Sequence, residues 1–328
     1  MPAPSGSLAT LRPDLGASFM DFDLAMDRQG FISQRVLPVF ETAVQSGTFG
    51  RIRLKELLQN RETKRQSGAG YARGNWNFDD EAFACTENGA EEPVDDREAK
   101  MYANYFDAEE VSSARAYDAV LRNQEKRVAD LLFNATTWNG AALSTGITNE
   151  WDDYANAVPI DDVEGAVRKV WSGTGLWPNA LIINRIVFRN LRHCEQIIER
   201  IASMGAGNAT KPSDITTAML AAVFDLPKII VAGSSKNTAN EGQAAAISQI
   251  WSSEYAMVAR VAETNDIKEP CLGRTFHWGE DGSLIGGLVE SYRDERIRGD
   301  VVRVRHETHE KVIYPEMAHL LSNVTTTP

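Results

Sequence analysis

The stretch that decides the reading is "VVRVRHETHEKVIYPEMAHLL", from Val301 to Leu321. Its centre, HETHE, comes close to the zinc-protease motif H-E-x-x-H. That motif works because a helix brings two histidines four residues apart onto one side. Here His306 and His309 are three apart, and the flanking residues alternate. Val302, Val304, His306, Thr308, Glu310 and Val312 fall on one face; Val301, Arg303, Arg305, Glu307, His309 and Lys311 fall on the other. Alternation with β-branched residues predicts a strand. In a strand, side chains an odd number apart point to opposite faces, so the two histidines cannot share a metal. The stretch reads as a long structural strand with an arginine-rich face. Pro315 is expected to interrupt it, and Met317 to Val324 to resume as an extended or edge segment.

The rest of the composition fits a structural role. A chain of 328 residues can bury a large core without staples. With 43% hydrophobic and 24% charged residues it has an ordinary globular composition. The longest apolar run, Ala218 to Phe224, is far below the roughly 20 residues that cross a bilayer. The N-terminal stretch "MPAPSGSLATLRPDLGASF" shows no basic-then-apolar secretory pattern, so none is expected. Cys85, Cys194 and Cys271 are odd in number and far apart, which predicts reduced thiols. A net charge of -12 argues against a dedicated nucleic-acid binder. It leaves open a protein that encloses nucleic acid without gripping it.

Charge is unevenly spread. Between Arg51 and Arg73, seven basic residues (Arg51, Arg53, Lys55, Arg61, Lys64, Arg65, Arg73) face only Glu56 and Glu62, a balance of +5. Between Asp79 and Glu98, nine acidic residues, among them Asp79, Asp80, Glu81, Glu91 and Glu92, face Arg97 alone, a balance of -8. The Gly/Ser/Asn-rich stretch between suits the tip of an extended arm whose limbs carry opposite charge and dock on neighbouring copies. An excursion this long is unusual in a compact domain unless it has a job.

A long amphipathic helix is predicted from about Ala108 to Asn134, capped by Asp107, with Tyr117, Val120, Leu121, Gln124, Val128 and Leu131 at helical spacing. An α+β pattern follows. It comprises a helix over Asp161–Val170, a buried strand over Asn179–Asn184, and a helix with Val187, Phe188 and Leu191. Then come a helix capped by Ser213 or Asp214 and running to Phe224, a strand over Pro227–Gly233, and a strand within Glu254–Ala262. No nucleophile elbow, phosphate loop or dinucleotide fingerprint is present. Cys194 beside His193 reads as a structural pair, because adjacent helix residues face apart. No catalytic residue, metal site or cofactor is expected.

Three blocks carry a family resemblance: "EEPVDDREAKMYANYFDAEEVSSARAYDAVLRNQEKRVADLLFN", "GLWPNALIINRIVFRNLRH" and "RVRHETHEKVIYPEMAHLLSNV". Their order and texture resemble the major capsid proteins of tailed bacteriophages, with the Hong Kong 97-like fold, across about Leu37 to Val324. The resemblance implies an α+β chain. It would comprise an N-terminal arm (1–49), an extended E-loop (50–96), a P-domain of spine helix and long strands (97–134 and 300–328) and an A-domain (135–299). It implies self-assembly as hexamers and pentamers into an icosahedral shell around double-stranded DNA, without sequence-specific contact. It also implies a virion location, assembly in the bacterial host cytoplasm, and no enzymatic or membrane role. A separate scaffolding protein, a portal and a decoration protein are the further partners implied. Arg51, Arg53, Arg61, Lys64, Arg65, Arg73, Asp79, Asp80, Glu81, Glu91 and Glu92 become the expected intersubunit contacts. Some relatives join a lysine to an asparagine between subunits; Lys64 lies in the corresponding region, but no partner is identifiable. The alternatives are an encapsulin-like compartment shell and a soluble enzyme using 135–299.

Overall fold

The computed structural model describes residues 10–11, 30–53, 58–60, 63–71, 73–74, 77–102, 107–203, 211–240, 242–279 and 282–326. In chain order the elements begin with β1 (Thr10–Leu11), α1 (Ser33–Val36), β2 (Val39–Thr42), β3 (Ser46–Ile52), β4 (Phe78–Ala84) and β5 (Thr86–Asp95). The helices α2 (Asp96–Tyr102) and α3 (Ala108–Leu132) follow, then β6 (Ser144–Gly146), α4 (Pro159–Thr174), β7 (Ala180–Asn184), α5 (Arg185–Leu191), α6 (Glu195–Ser203) and α7 (Thr217–Phe224). The chain closes with β8 (Lys228–Ala232), β9 (Ser235–Asn237), β10 (Ile247–Gln249), β11 (Tyr255–Ala259), β12 (Gly273–Trp278), β13 (Leu288–Asp294), β14 (Gly299–Val312) and β15 (Ala318–Ser322).

The quoted stretch is a strand, as its alternation predicts. β14 is fourteen residues long and organises a six-stranded sheet. Gly299–Arg305 pairs antiparallel with β13, and Thr308–Val312 with β12. Over Gly299–Thr308 β14 also pairs with β5, from Gly299 opposite Asp95 to Thr308 opposite Thr86. A Cβ at Gly299 would sit 2.1 Å from the Val94 carbonyl oxygen, so this close start of the ladder requires glycine. Among the described residues β5 pairs with no other strand, and such an edge position accommodates Pro93, which has no N–H to give.

The helix α3 runs twenty-five residues, about 37 Å at 1.5 Å per residue. The Asp107 carboxylate accepts from the Glu109 N–H at 2.9 Å, satisfying one of the free donors of the first turn. Its buried stripe explains its length, because it serves two cores. Ala116, Tyr117, Val120 and Leu121 pack against Val94, Val302 and Val304 of the six-stranded sheet. Val128, Ala129 and Leu132 enter a second core with Ile182, Trp251, Met257 and Leu320.

That second core lies on one face of a five-stranded sheet, ordered β6-β15-β11-β7-β8. β7 is buried along its whole length. Ala180 and Ile182 face the α3 end, while Leu181 and Ile183 face a third core with Val163, Val167, Val187, Ile197 and Leu220 of the covering helices. Burial on both faces is why the sequence shows an unbroken apolar run there.

Several segments pair outside the unit to which the sequence assigns them. β5 lies within 50–96, yet it is a strand of the six-stranded sheet. β12 and β13 lie within 135–299, yet both pair with β14. Ala318–Ser322 is neither an edge strand nor part of the β14 sheet; a 3-10 turn at Pro315–Met317 redirects the chain, and β15 sits between β6 and β11. The α7 cap is Thr216, whose hydroxyl accepts from the Met219 N–H at 3.3 Å. Ser213 and Asp214 are instead used up in a separate 3-10 turn.

Candidate assembly interface

The charged excursion is a β-hairpin at its base. β3 and β4 pair antiparallel from Ser46 opposite Ala84 to Ile52 opposite Phe78. Phe49 and Phe83 pack on Phe276 of β12, with Phe83 stacked at 4.7 Å between ring centroids and Phe40 closing the edge at 5.8 Å. These rings fix the hairpin base to the six-stranded sheet. Lys311 of β14 adds its ammonium group, 2.5 Å from the Ala82 carbonyl oxygen and 2.7 Å from the Glu81 carboxylate.

The register that pairs the strands also pairs their charges. Arg53 forks onto Asp79, with N···O distances from 2.7 to 3.1 Å. Arg51 donates to the Ile313 carbonyl at 2.7 Å, approaches Asp79 and Glu81 at 3.4 and 3.8 Å, and lies over the Tyr314 ring. The Arg53 hydrogen bonds hold the Asp79 carboxyl below its usual range. Glu91 and Glu92, on β5, lie 3.8 Å from Arg303 and 3.6 Å from Arg115. Six of the expected contact residues, Arg51, Arg53, Asp79, Glu81, Glu91 and Glu92, therefore carry partners inside the chain. Cross-strand register brings them together, and sequence spacing alone does not reveal it.

What the hairpin presents outward is its distal part. Lys64, Arg65, Arg73 and Asp80 are exposed. Arg65 donates to the Ala69 carbonyl at 2.7 Å and lies over the Tyr71 ring, 4.8 Å from its centroid. Leu58 and Tyr71 are exposed apolar groups on the same excursion. Arg61 lies outside the described residues.

Sequence reasoning missed a second constructed feature. Glu125 of α3 is fully buried where the two sheets meet. Its carboxylate accepts from the Ile32 N–H at 2.9 Å, the Ser33 N–H at 2.8 Å and the Trp251 indole N–H at 2.6 Å, with the Ser234 hydroxyl at 3.4 Å. Gly30, at φ +76°, accepts a bond from Gly233 beside it, and a Cβ there would lie 2.6 Å from the Gly233 nitrogen. A single carboxylate thus ties the chain entering β2, the long helix and the edge of the five-stranded sheet. The only signal in the sequence is an acid inside the apolar stripe of α3.

The groups that could have carried chemistry are held in structural contacts. His306 is buried and its Nδ1 lies 3.0 Å from the Ile285 carbonyl, so that nitrogen carries the hydrogen. Burial pushes its pKa down to about 4, which keeps the ring neutral. His309 has its Nδ1 2.8 Å from the Ala84 carbonyl, on the other side of the strand. The Cys194 thiol lies 3.3 Å from the Trp151 carbonyl, and burial pushes it up to about 12, far from a reactive thiolate. Among the described residues no cluster of three or more His, Cys, Asp or Glu side chains is arranged to hold a metal ion.

A long helix spanning two sheets, with a charged hairpin anchored at its base, defines the capsid fold of the Hong Kong 97 type, and the chain has that fold. It superposes on a phage-related protein from Bordetella bronchiseptica RB50 with a TM-score of 0.69 at 17% identity, over 96% of this chain and 98% of that one. The capsid protein of cyanophage P-SCSP1u superposes with a TM-score of 0.54 at 11% identity, over 88% of this chain and 86% of that one. In sequence, the chain is 26% identical over 279 residues to the major capsid protein of Burkholderia phage BcepMu, covering 83% of this chain and 86% of that protein. No protein-family model matches the chain.

Proposed function

We propose that this chain is a major capsid protein, whose copies assemble as hexamers and pentamers into an icosahedral shell around a double-stranded DNA phage genome. The observation that carries the reading is the 26% identity to a phage major capsid protein over most of both chains. The shared fold supports it. In this reading the β3–β4 hairpin is the E-loop. The six-stranded sheet with α3 is the P-domain and the five-stranded sheet with its helices is the A-domain; the N-terminal arm precedes β3 and lends β1 and β2 to the six-stranded sheet. The base of the hairpin belongs to its own subunit. Its exposed distal part, with Lys64, Arg65, Arg73 and the apolar Tyr71, contacts a neighbour. Complementary charge there selects partner and register more than it adds affinity. Assembly takes place in the host cytoplasm with a separate scaffolding protein, and portal and decoration proteins complete the particle.

The test is sedimentation of the purified chain, alone and co-expressed with a scaffolding protein, with negative-stain microscopy of the fast fraction. Closed shells of uniform size are the expected result. A homogeneous monomer under both conditions would overturn the proposal.

A further inference from the structure

The segment "NRIVFRNLRH", Asn184 to His193, sets three arginines and a histidine on and just after α5 with no acid among them. Several arginines elsewhere are paired with acids: Arg127 with Glu310, Arg303 and Arg305 with Glu290, Arg293 with Asp96. Arg185 and Arg189 are exposed, and among the described residues neither has an ion pair or a hydrogen bond. They are four residues apart, on one helix face, with Cβ atoms about 5–6 Å apart.

These arginines border a groove of about 640 Å³, walled by α5, the 3-10 turn at Pro212–Asp214 and Gln249 of β10. Arg192 is fixed in its wall, donating to the Pro212 carbonyl with its guanidinium over the Phe188 ring at 5.4 Å. Asn184 donates to the Gln249 side-chain carbonyl at the groove edge. His193 adds a ring. The carboxylate of Asp214, on the turn, accepts from the Ser213 hydroxyl at 3.1 Å.

We propose that this groove binds consecutive phosphate groups of a polynucleotide. The guanidinium fork matches phosphate oxygens two at a time, and two forks one helical turn apart address neighbouring phosphates. An acidic peptide would match the charge but bring backbone amides of its own to satisfy. A phosphodiester brings no such donor. The contact is to the backbone and carries no base sequence. The ligand class follows from the groove alone; that the polynucleotide is the packaged genome rests on the capsid reading.

The test is fluorescence anisotropy of a labelled DNA duplex of about 20 base pairs with the soluble full-length chain, across salt, for wild type, Arg185→Gln/Arg189→Gln and the control Arg168→Gln. Arg168 is exposed and already paired with Glu164. Two phosphate contacts predict that wild-type affinity falls about tenfold between 50 and 200 mM salt. The double variant should lose that slope and bind correspondingly weakly at low salt, with the control unchanged. Equal slopes in wild type and double variant would overturn the proposal. So would polyglutamate competing more strongly than DNA of equal charge, which would reassign the groove to an acidic peptide. Sedimentation of the same proteins reports shell assembly separately, so the groove and the capsid reading fail independently.

Discussion

The two sheets are stabilised by different physics. In the five-stranded sheet, β7 is buried on both faces, and Leu181, Ile182 and Ile183 have no exposed surface. Burying such side chains contributes about 1.5–3 kcal/mol each, largely independent of pH and salt. The six-stranded sheet is apolar beneath α3 and around Phe276, where the hairpin base packs. Its other face carries a ladder of charge, with Arg303 and Arg305 both on Glu290 and reaching toward Glu91 and Glu87. At its far end Arg127 grips the Glu310 carboxylate with both arms, at 2.9 and 3.0 Å. The first sheet is a rigid core. The second is a core whose strength depends on ionisation, and it is the one that holds the hairpin.

Breaking the junction between the sheets should cost most. Glu125→Ala would orphan two backbone N–H groups and the Trp251 indole, each worth about 1–3 kcal/mol when buried without a partner. A loss of roughly 3 kcal/mol or more is expected in the urea midpoint of the soluble subunit. A loss below about 1 kcal/mol would mean that the junction does not couple the two sheets.

Acid should weaken the charged sheet from a definite point. His306 has its folded pKa pushed down to about 4, below the 6.5 of a free histidine. The unfolded chain therefore binds the extra proton first. Stability should fall as pH drops from about 6.5 to 4, by about 3 kcal/mol in total. Replacing His306 with Gln should flatten that part of the pH profile, and an unchanged profile would clear His306 of the effect. Below it, burial raises the Glu290 carboxyl, but hydrogen bonds from Arg305 and Arg303 overcome this and hold it under its usual range. Glu310 is likewise lowered, its burial outweighed by Arg127. Their contribution is complete above about pH 4.5 and is lost as pH falls through the folded values. Glu290→Gln should cost the smallest amount, about 1–2 kcal/mol near neutral pH, and should blunt the acid loss below pH 4.5. Equal acid sensitivity in that variant would shift the weight to Glu310.

The same contrast explains what was legible in the sequence. β7, β8 and β11 can be read directly, because a strand buried on both faces must be continuously apolar. α3 announces its apolar stripe, and the alternation around HETHE identifies a strand before any neighbour is known. β5, with the sequence TENGAEEPVD, has little strand propensity and becomes a strand only because ten residues of β14 pair with it. The charges of the hairpin are visible, but their mutual neutralisation depends on the register of Arg51 opposite Asp79. Glu125 is hidden for the opposite reason. A glutamate in a helix looks ordinary until the two N–H groups and the indole that it collects are brought to it by distant parts of the chain.

In the capsid reading proposed above, the hairpin belongs to its own subunit at the base and to a neighbour at the tip. A cryo-electron microscopy reconstruction of the assembled particle tests this most directly. The expected map shows β3 and β4 seated on Phe276 and Lys311 of their own chain, with residues 63–74 lying on an adjacent subunit. A closed shell in which that tip folds back on its own chain, away from every neighbour, would contradict the account.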